Sequence, residues 1–153
     1  MVEHVVDVRW ALGDADFAAN TYSRAHEIVL DGGITVPGSA SPHVVPPPRS
    51  VEAALDPEEA YVAALSACHM LWFLDLARQA GRVVERYDDH ARGTMARRSD
   101  GTFWISKVVL DPKITWRGAA PEAEDLADLH HRAHENCFIA NSVRTEVTVA
   151  GAA

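Results

Sequence analysis

Apolar and polar residues alternate along the first third of the chain, which is typical of β-strands. Residues 4–10 alternate loosely until Gly13 and Asp14, and residues 21–30 (TYSRAHEIVL) alternate again. A period of two places successive side chains on opposite faces of a strand. The Asp-Gly-Gly turn that follows, with residues 34–36 after it, predicts a short returning strand.

The next segment, residues 37–50, is rich in proline and predicts a rigid extended loop. No regular helix tolerates this density of proline and glycine. The residues that set this expectation are Pro37, Gly38, Pro42, Pro46, Pro47 and Pro48.

A long helix is predicted from Pro57 to about residue 80. Asp56 suits the N-cap, proline suits the first helical position, and Glu59 stands three residues after the cap, as in a capping box. Gly81 provides the stop. The middle of this helix is apolar nearly all round, which indicates burial on most sides and favours an oligomer.

This helix is expected to lie in a soluble protein rather than in a membrane. Its longest uncharged run, Ala60–Leu74, has fifteen residues, and about 20 are needed to span a bilayer as a helix. The N-terminal sequence MVEHVVDVRW carries early acidic residues and no long apolar core, so no signal peptide is expected. These features predict a cytoplasmic protein without a membrane partner.

The second half predicts two strands, a helix and a closing strand. Residues 83–97 and 102–116 flank an Asp-Gly turn, which favours a hairpin. A second helix is expected over Ala123–Asn136, a turn over 138–143 and a strand over 144–149. The order of elements predicts an α+β fold with helices packed on a largely antiparallel sheet.

Length and charge narrow the class of protein. The chain has 153 residues, which fits a single domain over 1–153, and a formal net charge of −8. A chain this acidic, without a basic cluster, is not expected to bind nucleic acid. No motif for a bound cofactor is present, and the glycine pair lacks the rest of a phosphate-binding loop.

Cys68 and Cys137 are the two cysteines, one within the long helix and one at the end of the second helix. Without an export signal, a structural disulfide is not expected. The cysteines are therefore either small core residues or a redox or ligand pair. A reactive Cys68 needs a cation from elsewhere, because it lies too deep in its own helix to use the helix dipole.

Glu58 precedes Cys68 by ten residues, about 15 Å of helical rise, so the two cannot touch within one helix. A shared site would require an antiparallel twin helix from a second subunit. Otherwise Glu58 is a first-turn acid favoured by the macrodipole. His69 follows Cys68 directly and does not face it, so a cysteine–histidine dyad is not expected.

A metal site is an alternative for the same region. His130, His134 and Cys137 recur at i, i+4 and i+7 and share one helix face, so with Cys68 they would supply four zinc ligands. No Cys-x-x-Cys element supports this hypothesis. The other interpretation places most of these histidines at the surface or near a helix end.

Two segments together resemble a known family. The stretch DPEEAYVAALSACHMLWFLDLARQAG, joined to AHENCFIANSVRTEVTV near the end, is similar to the OsmC/Ohr family of organic-hydroperoxide peroxidases. YSRAHEIVLDGG and the SASP loop resemble one OsmC-like branch. The resemblance covers nearly the whole chain, and its most specific part is the Pro-Glu-Glu block ahead of Ala-Cys.

This resemblance implies an intertwined homodimer, with two long central helices and antiparallel sheets wrapped around them. It implies a peroxidatic Cys68, a resolving Cys137, a glutamate at Glu58 and an arginine that binds the thiolate. Ohr-type members place the arginine on an early strand, which matches Arg24. Other members place it about ten residues before the glutamate, near Arg49. Arg24 is favoured because a strand holds a side chain better than a proline loop.

The implied activity is the reduction of organic hydroperoxides to alcohols in oxidative stress defence. Cys68 would become a sulfenic acid and then form a disulfide with Cys137, and a dithiol reductant of the lipoyl type would restore both thiols. Apolar residues such as Leu65, Leu71, Phe73 and Phe138 could form the substrate pocket or simply pack in the core. The alternatives are a non-catalytic stress-related homodimer with inert cysteines, or the His/Cys metal-binding protein.

Overall fold

The computed structural model describes residues 1–151, which group into two compact units, residues 1–60 and residues 61–151. The first unit contains three short antiparallel strands in the order β1 (Val6–Arg9), β2 (His26–Leu30) and β3 (Thr35–Gly38). Gly33 provides the tight β2–β3 turn with a φ of 85°. Most other L-residues are strained at that angle.

The second predicted strand is shorter than the alternation suggested. The pattern extends over residues 21–30, whereas β2 begins only at His26. The residues before it form backbone hydrogen bonds to other segments instead. For example, the backbone N–H of Arg24 donates to the carbonyl of Arg49 (2.7 Å). The prediction that Arg24 lies on a strand is therefore wrong, and Arg24 stands in the irregular segment that leads into β2.

The proline-rich segment is irregular, as predicted, apart from the residues that complete β3. It is attached to the rest of the first unit by a few buried polar contacts. The Ser39 hydroxyl accepts a hydrogen bond from the backbone N–H of Val51 (2.9 Å), and Gly38 forms an isolated bridge with Leu55.

The long helix α1 spans Pro57–Gln79, close to its predicted bounds. Its capping box is formed in both directions: the Glu59 N–H donates to the Asp56 carboxylate (2.7 Å), and the Asp56 N–H donates to the Glu59 carboxylate (3.2 Å). Gly81 adopts a φ of 70° just beyond the helix, the left-handed conformation that favours glycine at a helix end.

The predicted hairpin is present, but its two long runs each divide in two. The strands are β4 (Val83–Asp89), β5 (Arg92–Arg97), β6 (Phe103–Leu110) and β7 (Pro112–Arg117). β5 pairs with β6 around the Asp-Gly turn, and β4 pairs with β7 in a separate sheet. The division falls where the Asp89 carboxylate accepts the backbone N–H of Asp111 (2.7 Å).

The remaining elements follow the predicted order. Helix α2 spans Ala123–Asn136, a single 3₁₀ turn spans Ala140–Ser142, and β8 spans Glu146–Val149. β8 joins β6 in parallel, so the order in this sheet is β5-β6-β8. All other strand pairs are antiparallel, which confirms the α+β class.

Two apolar clusters form the core of the second unit. One joins the C-terminal half of α1 to α2, β4 and β7, with buried Phe73, Leu76, Ala77, Leu129 and Ala133. The other joins Leu65 of α1 to Val108 and Leu110 of β6. Both clusters bury the same side of α1 and thereby fix which of its residues remain accessible.

Helix α1 is long and apolar enough to cross a membrane by length and composition, with a mean hydropathy of 1.4. Core helices of soluble proteins meet the same criterion. Only 28% of its apolar window is buried within the described residues, so much of the apolar surface of this helix is exposed in the single chain.

Candidate active site

Cys68 lies in the middle of α1, on the flank of its buried face. Leu65, His69 and Phe73 point into the core, whereas Cys68 is half-buried. A free thiol in this position is partly accessible from outside, which a reactive cysteine needs.

Cys137 lies immediately after α2 and ends it. Its N–H donates to the carbonyl of His134 (3.2 Å), and its Sγ accepts a hydrogen bond from the N–H of Ala140 (3.3 Å). The side chain is 1% exposed. The short turn after α2 therefore holds this sulfur in one position inside the protein.

The two sulfurs are neighbours, although they stand sixty-nine positions apart in the sequence. Burial, together with the adjacent Cys68 thiol, raises the pKa of the Cys137 thiol to about 11, against a smaller opposing effect of the Ala140 N–H. Both cysteines are free thiols. Cys137 therefore stays protonated at neutral pH. Because Cys68 is half-buried and Cys137 is fully buried, Cys68 is the more accessible sulfur of the pair.

A buried histidine pair lies beside the cysteine pair. Nε2 of His69 is 3.0 Å from Nδ1 of His130, and the ring of Phe73 stacks on His130 with centroids 4.5 Å apart. Burial, with His130 and His134 nearby, lowers the pKa of His69 to about 4. Burial also lowers the pKa of His130 to about 4, against the opposing effect of Asp89.

Sequence reasoning missed this pair, and the expectation that most of these histidines lie at the surface is wrong for His130. His69 and His130 are 1% and 5% exposed. The apolar run around His69 indicates that this residue is buried, and a buried polar ring needs a hydrogen-bond partner. The identity of that partner was not readable, because it lies on another helix.

The metal hypothesis gains no support. Among residues 1–151, no group of three or more histidine, cysteine, aspartate or glutamate side chains is arranged to hold a metal ion. The predicted set of His130, His134, Cys137 and Cys68 is therefore not brought together as a ligand group.

Arg24, Arg49 and Glu58 all belong to the first unit. The backbone bond between Arg24 and Arg49 brings the two candidate arginines side by side. Glu58 is half-buried in the first turn of α1. Within residues 1–60, neither arginine forms an ion pair with Glu58. The contact of an arginine with Cys68 remains a prediction.

Two of the apolar residues considered above for either a substrate pocket or the core belong to the core. Leu65 and Phe73 are fully buried. Phe138 and Leu71 are 70% and 63% exposed, and Phe138 meets the edge of the Trp72 ring with centroids 5.5 Å apart. The accessible apolar surface near the cysteines is therefore made by this second set.

Comparison with known proteins decides the family. The family described as OsmC-like protein matches residues 50–150. The chain belongs to the OsmC-like family. A solved OsmC-like protein of unknown function from Vibrio cholerae is 52% identical, over 97% of this chain and 98% of that chain, with a TM-score of 0.94.

More distant solved structures share the OsmC-like fold at low identity. The organic hydroperoxide resistance protein OsmC of Legionella pneumophila is 16% identical over 97% of each chain, with a TM-score of 0.70. The organic hydroperoxide resistance protein OhrB of Bacillus subtilis is 19% identical over 97% of this chain and 96% of its own, with a TM-score of 0.67. No curated protein matches the chain.

Proposed function

We propose that this OsmC-like protein is a thiol-dependent peroxidase that reduces organic hydroperoxides to alcohols. The observation that carries the proposal is the pair of adjacent free thiols, one half-buried and one fully buried. A half-buried sulfur is open to a peroxide, and a protonated neighbour is ready to condense with the oxidised product. Two proteins named for organic hydroperoxide resistance have the same fold, which supports the proposal.

The proposed reaction proceeds in three steps. The Cys68 thiolate attacks the distal oxygen of ROOH, the O–O bond breaks, and with one proton the products are ROH and a Cys68 sulfenic acid. The Cys137 thiol condenses with the sulfenic acid, which forms the S–S bond and releases water. A dithiol reductant of the dihydrolipoamide kind then exchanges with this disulfide, restores both thiols and leaves as its own disulfide.

Arg24 and Glu58 are proposed to support the first step. A guanidinium beside Cys68 would stabilise the thiolate, and a carboxylate would hold the planar fork in place. Within residues 1–60, Arg24 and Glu58 are not paired with each other, so in the proposal this pairing forms in the assembled protein. Arg49, which is bonded to Arg24 through the backbone, is the competing candidate.

The assembled protein is proposed to be a cytoplasmic homodimer with the two α1 helices at its centre. The support is the apolar surface that the single chain leaves uncovered. Leu71 is 63% exposed, and Ala63, Ala64 and Ala67 on the same helix are also exposed. Residues at these spacings share one side of a helix. A second copy would cover this stripe, and the purified protein should be a dimer in buffer without detergent.

The activity is tested by following hydroperoxide consumption in the presence of dihydrolipoamide or dithiothreitol. Cumene hydroperoxide should be consumed faster than hydrogen peroxide, because apolar contacts stabilise the bound alkyl or aryl group. Cys68→Ser should abolish turnover. Cys137→Ser, treated with one equivalent of hydroperoxide in the absence of the dithiol, should stop at the Cys68 sulfenic acid.

Two matched variants separate the arginines. Arg24→Gln should reduce the rate of Cys68 oxidation strongly, and Arg49→Gln, which removes the same charge from a bonded neighbour, should reduce it less. The reverse order would transfer the role to Arg49. Full activity of Cys68→Ser would reject the peroxidase, and slow alkylation of both cysteines at neutral pH would favour a homodimer with inert thiols.

A further inference from the structure

The buried pair of His69 and His130 joins the two helices that carry the cysteines, and the proposed chemistry does not use it. His69 follows Cys68 on α1, and His130 lies about two helical turns before Cys137. The two histidines are 1% and 5% exposed, so neither has a role at the surface of the chain. A buried polar pair within an apolar core needs a physical reason, because apolar side chains of similar size stabilise such a site at least as well.

The His130 ring contacts α1 at two successive turns. Nε2 of His69 lies 3.0 Å from Nδ1 of His130, and the two rings are nearly parallel, with an angle of 11° between their planes. Phe73, one turn further along α1, stacks on the His130 ring with centroids 4.5 Å apart. A rotation of either helix about its axis, or a slide along it, would disturb both contacts. The His130 ring therefore fixes the placement of α2 on α1.

The core between these helices is otherwise apolar. The buried cluster that joins them consists of Phe73, Leu76, Ala77, Leu129 and Ala133. Hydrophobic and dispersion contacts are not directional, so they restrain small sliding movements weakly. Among residues 61–151, the contact between His69 and His130 is the only side-chain hydrogen bond that joins α1 to α2. A shift that breaks this bond leaves two imidazole nitrogens buried without a partner, which disfavours every other register of the helices.

Both rings are neutral at neutral pH, because burial lowers the pKa of each histidine to about 4. A neutral imidazole has one N–H donor and one acceptor nitrogen, so one ring donates to the other. The bond is therefore a directional contact between neutral groups, and two side-chain amides can reproduce it. Substitution can thus separate the role of the bond from any acid–base role of the imidazoles.

We propose that His69 and His130 are positioning residues that set the approach of the Cys68 and Cys137 sulfurs. A disulfide forms only within a narrow range of separations, with Cα atoms about 4.4–6.8 Å apart. A slide by one residue along α1, about 1.5 Å, covers much of that range. This role rests on the proposed function, because the pair assists the condensation of the Cys68 sulfenic acid with the Cys137 thiol. The pair acts through the two helices rather than on the reacting atoms.

The test is the equilibrium between the two thiols and their disulfide in mixtures of reduced and oxidised dithiothreitol, measured by alkylation and mass spectrometry. No hydroperoxide is needed, so a failed positioning role is distinguished from a failed peroxidase. His69→Leu/His130→Phe should lower the equilibrium constant for the Cys68–Cys137 disulfide by about ten-fold, the contribution of one hydrogen bond. With cumene hydroperoxide, the rate of sulfenic acid formation at Cys68 should be unchanged, and its condensation with Cys137 should slow by a similar factor.

Two further variants separate the directional bond from a general loss of stability. His69→Gln/His130→Asn places amide groups where the imidazole nitrogens Nε2 and Nδ1 lie, and it should restore the equilibrium constant to within about two-fold of the wild-type value. Leu76→Ala removes apolar packing from the same cluster and retains the pair. It should lower the stability of the protein and leave the disulfide equilibrium unchanged.

An unchanged equilibrium constant in His69→Leu/His130→Phe would overturn the proposal. An equal loss in Leu76→Ala would also overturn it, since general loosening of the core would then be the cause, as would a failure of the amide pair to restore the equilibrium. If either double variant does not fold, imidazole ¹⁵N signals of the wild-type protein decide instead. The bond between His69 and His130 should persist in both the dithiol and the disulfide forms, and its loss on oxidation would reject the positioning role.

Discussion

The buried His69–His130 pair should make the protein sensitive to mild acid. Both rings are almost fully buried, and the pKa of each is lowered from 6.5 to about 4. A group whose pKa is depressed on folding binds its proton more readily in the unfolded chain. Its contribution to stability is therefore fully present above pH 6.5 and is lost as the pH falls toward 4.

The magnitude follows from the size of the shift. A difference between 6.5 and about 4 corresponds to roughly 3 kcal/mol for each histidine once the pH is below both values. At pH 5 the unfolded state is nearly fully protonated and the folded state is mostly neutral, so each histidine contributes a loss of about 2 kcal/mol. Because the rings are hydrogen-bonded to each other, the pair should lose roughly 2 to 4 kcal/mol in total.

The assay is denaturant unfolding of the wild-type protein at pH 7 and pH 5. The double variant His69→Leu/His130→Phe, which fills the site with apolar side chains, should show less than half of the wild-type difference in unfolding free energy between pH 7 and pH 5. His131→Gln is the matched control, because this residue follows His130 on α2 but is exposed and contacts Glu135. It should retain the full difference.

Two results would refute this reasoning. One is a wild-type free energy of unfolding that is the same at pH 7 and pH 5. The other is a double variant that remains as acid-sensitive as the wild type, since the titrating groups would then lie elsewhere. Direct NMR titration of the imidazole protons serves if the double variant does not fold, and both buried rings should remain neutral down to about pH 5.

Three further outcomes are expected. At pH 8 the Cys137 thiol should react with iodoacetamide about one hundred times more slowly than an ordinary thiol of pKa 9.0, because its pKa of about 11 leaves little thiolate. Peptide mass spectrometry measures the alkylation rate, and equal rates for the two thiols would contradict the burial argument. Asp56→Ala should lower the unfolding free energy by about 1 kcal/mol through loss of the capping box, and no loss in urea titration would show the cap to be dispensable. Gly93→Ala should lower the unfolding free energy by about 1–3 kcal/mol, because the added Cβ would lie 2.6 Å from the Val62 side chain. Gly32→Ala, where the added Cβ meets open space, should lower it much less, and similar losses for the two variants would reject steric crowding as the cause.

Local signals in the sequence predicted the helices well. The bounds of α1 follow from a capping box and a terminal glycine, which act within a few residues of the chain. α2 spans the predicted Ala123–Asn136. Each of these predictions depends on interactions between residues that are close in sequence, so the pattern contains the necessary information.

Strand lengths were less predictable, because they depend on distant partners. The alternation over 83–97 shows no interruption at His90 and Ala91, where the chain leaves one sheet for another. That break is set by the contact of Asp89 with Asp111. The parallel docking of β8 on β6 likewise depends on residues about forty positions apart, which no local pattern reports.

The candidate site shows the same limit. The sequence alone left Cys68 and Cys137 as either core residues or a pair, and only the family resemblance pointed to their pairing. The neighbouring His69–His130 contact joins residues sixty-one positions apart and escaped both lines of reasoning. A polar residue within an apolar helix indicates that a buried partner exists but does not say where in the chain it is found.

The most direct test of the central claim is the fate of the two thiols after one equivalent of cumene hydroperoxide. The reduced protein is mixed with the hydroperoxide without any reductant, quenched with an alkylating agent and analysed by intact and peptide mass spectrometry. The account predicts loss of two hydrogen atoms per chain, a Cys68–Cys137 linked peptide, and recovery of both thiols with dihydrolipoamide. Unchanged free thiols after the hydroperoxide, or a linked peptide in which either cysteine is joined to a second chain, would contradict it.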